Sequence, residues 1–407
     1  MIKYLLILLL FVSITRTPGQ SKYQTDFLFY WETINKNFAY FDRQKTDWDK
    51  VREIYESAAD TITTEKSLIS LLENMNNELY NGHIFLNVNT KESNRLIPGG
   101  SDMKISRAEH KYIITEIREG YNADLCGLKT GMVIIRYDDI PVDSALKKFL
   151  PKSVKDYNDE MYEYSVNMLL AGTHNTKRKI TVLDGGMEKT FYPDSISNRT
   201  DESYNGLLQF KIISSNIGYI KINNSLGNSG LIGVFDSAID SLMKTDGLIL
   251  DLRETPGGGN TTVARAIMGR FIDKELPYQK HIYVEEEKET WIRRSTLELV
   301  SPRPEIYTKP LVVLVGNWTA SMGEGMAIGF DGLKRVDVAG TKMACLLGEI
   351  YTFETPELKI PFSFPCVKLQ HINGQPREDY VPGNLVKESQ DTFNTGLNLL
   401  IKNIENK

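Results

Sequence analysis

The spacing of apolar residues divides the first half of the chain into two stretches of different character. From about Tyr23 to Asn81, apolar side chains recur at intervals of three and four, which predicts a small helical region. Between about Leu96 and Asp194, short runs such as "KYIITEI" and "RKITVLDGG" alternate apolar and polar positions and are separated by turn residues. This second stretch is therefore predicted to be a compact unit of strands and turns, with one helix around "EMYEYSVNMLLAG".

From about Leu207 onward, apolar strands alternate with helical segments. The strands are the runs "IGYIKI", "GLILDL", "PLVVLV" and "RVDVAG". Strands rich in Val, Ile and Leu, with little polar alternation and with helices between them, are typical of a mostly parallel sheet covered on both faces. The second half of the chain is therefore predicted to be an α/β domain.

The chain begins with "MIKYLLILLLFVSITRTPGQS", in which one lysine precedes an apolar run from Tyr4 to about Ile14. This layout predicts a secretory signal peptide cleaved near Gly19 or Gln20, with the start of a buried helix as the alternative. The apolar run is too short to span a bilayer comfortably. We therefore expect an exported protein, periplasmic or extracellular, with no stable membrane span after cleavage.

Composition narrows the choice of partners and cofactors. The 407 residues carry a net charge of -5, with 48 basic and 53 acidic side chains, which argues against a nucleic-acid partner. The five histidines are scattered and no Cys-x-x-Cys occurs, so neither a metal site nor a cofactor is expected. Cys345 and Cys366 could form a disulfide, but free buried thiols fit as well, and the oligomeric state stays open.

The stretch "LILDLRETPGGGN", Leu248 to Asn260, predicts a buried strand followed by a glycine turn that opens a helix. Amides freed by glycines can point at an anion, so an oxyanion hole, a phosphate cradle and a turn that needs positive φ are all open interpretations. The pattern lacks the lysine and spacing of a P-loop. Asp251 and Arg253 are expected to form a structural ion pair at the strand end.

The stretch "VGNWTASMGEG" places Ser321 directly behind the apolar run "PLVVLV". A serine at a helix start often serves as an N-cap, and Glu324 three residues later would complete a capping box. The other interpretation is a nucleophile at a strand-to-helix turn. It gains weight from His83 in "ELYNGH" and from the glycine turn, since acyl transfer needs a nucleophile, a base and an oxyanion site together.

These motifs together resemble the C-terminal processing peptidase family, peptidase family S41. The quoted segments that carry the resemblance are "FLFYWETINKNFAYFD", "GLKTGMVIIRYDDIPV", "LILDLRETPGG", "PLVVLVGNWTASMGE" and "NGQPREDYVPGNLV". Leu346 stands where the Ser-Lys branch of the family has its lysine base. The chain is therefore similar to the tricorn-core and retinoid-binding-protein-like branch, whose base is a histidine.

The resemblance implies a role for individual residues. Ser321 matches the nucleophile and His83 matches the base. Glu378, ahead of "YVPGN", matches the acidic partner that orients the histidine, with Asp379 as its adjacent alternative. Tricorn-like enzymes carry a serine just before the histidine, where this chain has Gly82.

The resemblance also implies where an oxyanion would be stabilised. The donors would be the amide of Met322, directly after the nucleophile, and the amide of Gly257, with Gly258 as the alternative. The implied activity is an exported serine endopeptidase that cleaves polypeptides near their C-termini. A catalytically degenerate member that binds a peptide or an apolar ligand, and an acyl hydrolase of small molecules, are the alternatives.

The resemblance predicts an α/β fold with a ClpP/crotonase-like core of mostly parallel sheet and flanking helices. The expected divisions are a signal peptide over 1–20, an N-terminal helical region carrying the histidine over 21–92, a PDZ-like domain over 93–195 and the S41-type peptidase core over 196–407. The PDZ-like domain would bind the C-terminal tail of a substrate as an added strand.

Overall fold

The structure is a computed structural model that describes residues 21–196, 206–287 and 290–406. The predicted signal peptide over 1–20 lies outside these residues. Within the described ranges, no helix is long and apolar enough to cross a membrane.

The N-terminal region is helical, as its apolar spacing predicts. Its elements are α1 (Lys22–Asn37), α2 (Trp48–Ala59), α3 (Glu65–Asn77) and the short strand β1 (Phe85–Leu86). Each helix begins at a side-chain cap, and the caps are Ser21, Asp47 and Thr64. The apolar faces of the three helices meet in one cluster that includes Phe27, Val51 and Leu72. His83 lies in the short connection between α3 and β1.

The next unit is built on an antiparallel sheet. Its elements are β2 (Met103–Ala108), β3 (Lys111–Ile117), α4 (Asn122–Leu125), β4 (Val133–Tyr137), β5 (Ile140–Pro141), α5 (Val142–Ala145), α6 (Asp159–Ala171), β6 (Ile180–Asp184) and β7 (Met187–Phe191). The strands follow the order β2-β3-β4-β6-β7, with β5 paired to β4. Asp138 and Asp139 both have positive φ and form the hairpin turn between β4 and β5. This unit has its own apolar core, and its PDZ-like character stays a prediction.

The second half of the chain contains the predicted parallel sheet. Its elements are β8 (Leu208–Ile213), β9 (Ile217–Ile222), α7 (Leu231–Ser241), β10 (Gly247–Asp251), α8 (Thr261–Met268), β11 (Leu276–Glu287), β12 (Thr290–Val300), β13 (Leu311–Val315), α9 (Met322–Gly332), β14 (Asp337–Gly340), β15 (Glu349–Glu354), β16 (Pro361–Gln370), β17 (Asn384–Leu385) and α10 (Thr392–Glu405). The sheet order is β17-β14-β13-β10-β9-β8, and only the β8–β9 pair is antiparallel.

Helices cover both faces of this sheet. On one face, α7, α8 and α9 bury side chains such as Phe235, Met268 and Met326 in the largest apolar cluster. On the other face, Leu400 of α10 packs with Val312 and Leu314 of β13. Because helices exclude water from both faces of the sheet, its strands consist almost wholly of apolar residues. This composition makes them recognisable from the sequence.

A third sheet joins the helical region to the parallel-sheet core. It has the order β1-β16-β11-β12, with β15 paired to β16. Phe362 and Phe364 of β16 belong to the apolar cluster of α1 to α3. Residues far apart in the chain therefore meet at this sheet. Because β1 pairs with β16, the connection that contains His83 lies close to the core.

The antiparallel unit is anchored to the core by polar contacts. Arg118, at the end of β3, forms a two-pronged ion pair with Glu254 in the turn behind β10. Glu116 of β3 accepts a hydrogen bond from the Thr341 hydroxyl at 3.0 Å, and burial raises its pKa to about 7. The unit is thus fixed beside the turns that follow the central strands.

Candidate active site

Two turns meet at the carboxyl ends of the neighbouring parallel strands β10 and β13. Thr255, behind β10, pairs with Thr319, behind β13, in an isolated parallel bridge. The Thr319 hydroxyl donates to the carbonyl of Leu252 at 2.9 Å, and the amide of Thr255 donates to the carbonyl of Trp318 at 3.1 Å. The glycine turn and the serine turn are therefore held side by side at the edge where α/β folds place their sites.

Ser321 adopts an unusual backbone conformation directly before α9. Its φ is 53° and its ψ is -110°, a region that non-glycine residues rarely occupy. Such strain costs of order 1–3 kcal/mol and persists only where the surroundings hold it. Here the Ser321 amide donates to Glu324 Oε2 at 2.7 Å, as the predicted capping box requires. The sharp strand-to-helix turn leaves Ser321 partly exposed, and such a turn also occurs at a nucleophile elbow.

His83 lies against this serine and is almost fully buried. Its Nε2 is 3.2 Å from Ser321 Oγ, and its Nδ1 is 2.5 Å from the carbonyl oxygen of Leu347. A carbonyl can only accept, so Nδ1 carries the proton and the lone pair of Nε2 faces the hydroxyl. Burial, together with the nearby Arg377 charge, lowers the pKa of His83 to about 3 and keeps the ring neutral.

Arg377 holds the backbone that supplies this carbonyl. Its Nη2 donates to the carbonyls of Leu346 and Gly348, both at 2.9 Å, on either side of Leu347. Its Nη1 donates to the carbonyl of Ser321 at 3.2 Å. One buried guanidinium thus connects the serine turn with the segment that orients His83.

Glu324 reinforces the same arrangement from α9. Its carboxylate accepts from the amides of Ser321 and Leu346, and Arg377 Nη2 lies 4.0 Å away. Complete burial raises the pKa of Glu324 to about 7, against the lowering effect of Arg377. The carboxylate connects the Ser321 turn to the 346–348 segment and does not contact the histidine ring through any hydrogen bond of the described residues.

The glycine turn approaches Ser321 through Gly258. A Cβ added to Gly258 would lie 2.6 Å from Ser321 Cβ and 2.9 Å from its Oγ, and φ at this glycine is +61°. The amides of both glycines are occupied, since Gly257 donates to Asn224 Oδ1 at 2.6 Å and Gly258 donates to the Thr255 carbonyl at 3.2 Å. Met322 begins α9, where a first-turn amide has no partner within the helix. Of the two glycines expected at the oxyanion site, the structure brings Gly258 to the serine.

Glu378 is not brought to His83. Its Oε1 accepts from Arg43 at 2.7 Å, and the adjacent Asp379 accepts from the same guanidinium at 2.9 Å. No hydrogen bond of the described residues joins either carboxylate to His83, whose Nδ1 is already engaged by Leu347. The acidic partner expected from the resemblance is thus displaced here by a main-chain carbonyl.

The position before His83 holds Gly82, where tricorn-like enzymes have a serine, and a side chain here would collide with its surroundings. A Cβ at this position would lie 2.2 Å from the carbonyl oxygen of Ile97 and 3.2 Å from the Leu346 side chain. A serine would therefore need a shift of the backbone at Ile97. Leu346, at the position of the lysine in the Ser-Lys branch, fills apolar space beside the site.

Sequence reasoning missed Leu347 and Arg377. A main-chain carbonyl leaves no signature in the sequence, because every residue has one. Arg377 directly precedes Glu378 in a polar run, and only its burial at 2% exposure distinguishes it from a surface arginine. Elsewhere, Asp251 and Arg253 form the expected ion pair, and the three cysteines are free thiols.

Comparisons with known proteins agree with this architecture. Residues 216–348 match the model of peptidase family S41, and residues 20–77 match that of the tricorn protease C1 domain. Among curated proteins, no sequence is similar enough to count as a relative.

Several solved structures share the fold at low sequence identity. Mature CPAF has a TM-score of 0.64 at 13% identity, covering 95% of this chain and 98% of that one. The photosystem II D1 C-terminal processing protease has a TM-score of 0.54 at 16% identity, with coverages of 90% and 94%. A putative peptidase from Parabacteroides merdae has a TM-score of 0.55 at 15% identity, covering 94% of this chain and 98% of that one. Residues 216–348, which contain the glycine turn and Ser321, thus match peptidase family S41, and the whole chain shares its fold with these solved structures, which supports a serine-type peptidase.

Proposed function

We propose that this chain hydrolyses peptide bonds of polypeptides with Ser321 as nucleophile and His83 as general base. The observation that carries the proposal is the 3.2 Å separation between Ser321 Oγ and His83 Nε2, with Nδ1 held by the Leu347 carbonyl. This geometry supports proton transfer from the hydroxyl to the ring.

In the proposed reaction, Ser321 Oγ attacks the carbonyl carbon of the scissile bond as its proton moves to Nε2. The imidazolium keeps its Nδ1 proton on the Leu347 carbonyl and donates the Nε2 proton to the leaving amine. A water molecule that gives its proton to Nε2 then attacks the acyl-serine ester, and the same proton returns to Ser321 Oγ as the acid product leaves. A neutral carbonyl stabilises an imidazolium less than a carboxylate does. We therefore expect His83 to be a weaker base than the histidine of a carboxylate triad.

The oxyanion would form in the space beside Ser321 that Gly258 leaves open. Because a side chain at Gly258 would collide with Ser321, its absence admits the substrate carbonyl. The amide of Met322, at the start of α9, supplies a donor and the positive end of the helix dipole. Gly258 contributes open space and not a free donor, because its amide donates to the Thr255 carbonyl, while the Gly257 amide donates to Asn224.

We further propose that the protein is exported and acts near polypeptide C-termini, as the leader-like N-terminus and the family resemblance suggest.

The loop before β2 is closed by internal contacts. The amides of Gly100 and Ser101 donate to the carbonyls of Leu96 and Pro98, so they are not free to hold a terminal carboxylate. This loop does not favour carboxylate binding by the antiparallel unit.

A fluorophosphonate probe, which labels activated serines, tests the proposal. We expect Ser321→Ala to abolish labelling and to lower peptide hydrolysis by about 10⁴-fold or more, and His83→Ala to suppress both strongly. Ser237→Ala, an exposed serine on α7, is the matched control and should label normally. An unlabelled parent protein, or labelling that survives Ser321→Ala, would favour a non-enzymatic binding protein.

A further inference from the structure

His281 lies on β11, outside the Ser321–His83 pair, and both of its ring nitrogens face carboxylates. Its Nε2 is 3.1 Å from Glu298 Oε2 on β12, and its Nδ1 is 3.0 Å from Glu349 Oε2 on β15. An ionised carboxylate can only accept, so each ring nitrogen donates a proton and the ring is an imidazolium. The side chain is 12% exposed, and the two acids therefore hold a largely buried cation between them.

The surroundings favour this charged form of the ring. Burial opposes the charge, but the hydrogen bonds to Glu298 and Glu349 outweigh it and raise the pKa of His281 to about 9. Burial also opposes the charge of Glu298, whose pKa is nevertheless lowered to about 2 by contacts with His281, Thr261 and Tyr278. At neutral pH, His281 thus carries a positive charge that joins two acids from different strands.

The side chain of Gln279 supplies a further acceptor beside the ring. Its amide nitrogen lies 3.2 Å from His281 Nε2, while its amide oxygen is buried and has no hydrogen-bond partner among the described residues. A rotation that exchanges the two amide atoms brings the oxygen to the ring N–H and gives it a donor. The doubly protonated ring thus satisfies an acceptor that a bare Nε2 would leave unpaired.

On one side, this cation holds the end of the segment that orients His83. Glu349 begins β15 directly behind Gly348, and Leu347 supplies the carbonyl that His83 Nδ1 contacts. The β15–β16 register shifts between Glu349 and Ile350, so strand pairing is interrupted where β15 begins. The side-chain contact of Glu349 therefore adds a fixed point that the strand ladder does not supply.

On the other side, Glu298 connects the ring to the helix that follows the glycine turn. Its Oε1 accepts a hydrogen bond from the hydroxyl of Thr261, the first residue of α8, and its Oε2 accepts one from the Tyr278 hydroxyl at 2.6 Å. Thr261 follows closely behind Gly258, the glycine that approaches Ser321. Contacts from one histidine thus extend to both sides of the site.

We propose that His281 is a positioning residue for the reaction at Ser321, whose imidazolium fixes the Leu347 carbonyl relative to the glycine turn. It has no hydrogen bond to the nucleophile or the base among the described residues, so its effect passes through Glu349 and Glu298. Without the cation, these two like charges face each other unpaired, and the Glu349 end of the segment should move. The consequence for catalysis rests on the proposed function, whereas the effect on the ring of the base does not.

Fluorophosphonate labelling of the full-length protein, resolved into probe affinity and maximal rate, tests the role in the reaction. We expect His281→Ala to lower the maximal labelling rate of the folded molecules about tenfold with little change in probe affinity, because the base is displaced. Glu349→Gln, at a more exposed position, should also lower this rate, and the double variant should be no slower than His281→Ala alone. A merely structural role would leave the maximal rate of the folded molecules unchanged.

Asp236→Ala is the matched control. Its carboxylate bridges Arg270 and Arg303, so this variant also loses an ion that joins two partners. Among the described residues, neither arginine has a hydrogen bond to the Ser321 turn or to the 346–349 segment. We expect lower stability without slower labelling of the folded molecules. A loss of maximal rate at Asp236 equal to the loss at His281 would overturn the proposal.

Heteronuclear NMR of the histidine side chains tests the same inference without turnover. The chain has five histidines, so the ring signals can be assigned from the variants His83→Ala and His281→Ala. We expect two ring N–H signals from His281 at neutral pH, and a His83 Nδ1–H signal that shifts in His281→Ala and Glu349→Gln but not in Asp236→Ala. An unchanged His83 signal, or a single N–H on His281, would contradict the proposal. A shifted His83 signal in a protein whose Ser321 is never labelled would overturn only the peptidase function.

Discussion

The nucleophile side and the base side of the proposed site, at Ser321 and His83, are built in different ways. Ser321 lies on the turn between β13 and α9, and its main supports, Glu324 and Thr319, are within three residues along the chain. His83 stands in a connection of the N-terminal region, and its orienting carbonyl at Leu347 is 264 residues away in sequence.

This contrast indicates which substitutions should disturb the geometry at Ser321 and which should disturb the geometry at His83. The nucleophile turn depends on local sterics, so small changes beside it should act directly on the reaction. The base depends on backbone contacts through Arg377. Arg377 also donates to the Ser321 carbonyl, but the serine turn has further supports in Glu324 and Thr319, so the loss of Arg377 should disturb the His83 side more. Rates of fluorophosphonate labelling, measured per folded molecule, report on both sides with one readout.

The largest effect is expected at the nucleophile side. Gly258→Ala should lower the labelling rate by about 10²–10³-fold, because the added Cβ would lie 2.6 Å from Ser321 Cβ and fill the oxyanion space. Gly257→Ala is the matched variant. Its Cβ would meet the movable Asn224 side chain at 2.7 Å, so a distinctly smaller loss is expected. Equal losses at the two glycines would contradict the assignment of Gly258.

An intermediate effect is expected at the base side. Arg377→Ala should lower the labelling rate about 100-fold, because the Leu346 and Gly348 carbonyls lose their donor and Leu347 no longer holds His83. Arg377→Lys should recover part of the rate. The control is Arg335→Ala, since Arg335 also donates to three backbone carbonyls but lies away from Ser321.

Both arginine variants should be less stable, but only the change at Arg377 should slow labelling of the folded protein. The free energy of unfolding, measured by urea denaturation, allows the rates to be compared at equal folded fraction. If Arg335→Ala slows labelling as much as Arg377→Ala does, Arg377 has only a structural role.

The smallest effect concerns pH. His83, with a pKa lowered to about 3, stays neutral and basic as the pH falls from 7 to 5, unlike an ordinary histidine near 6.5. Glu324, with a pKa raised to about 7, titrates in this window, so the measurement uses Glu324→Gln. We expect its labelling rate to change less than about twofold between pH 7 and 5.

The same pKa shift predicts the direction of the stability change. Because the folded-state pKa of His83 lies below the unfolded value, the unfolded chain binds a proton that the folded chain excludes. The contribution of His83 to the free energy of unfolding is therefore lost as pH falls from about 6.5 to about 3. A labelling profile with an apparent pKa near 6.5 would show that His83 is not the buried neutral base.

Much of the fold could be predicted because its strands and helices have strong local patterns. The parallel strands β9, β10, β13 and β14 are apolar on both faces, and this reads directly from the sequence. The third sheet was not predicted, since β11, β12 and β16 mix polar and apolar residues and pair with distant partners. The pairing of such strands depends on which distant segments become neighbours in the folded chain.

The sequence by itself determined the α/β class, the strand-to-helix turn at Ser321 and the glycine turn that approaches it, because backbone geometry and side-chain periodicity act over a few residues. Only the tertiary structure decided that Gly258 rather than Gly257 faces the serine, and that Leu347 rather than Glu378 meets His83. It also decided that Glu378 pairs with Arg43. These outcomes depend on competing contacts between segments hundreds of residues apart. A local sequence pattern does not predict which of these contacts has the lower free energy.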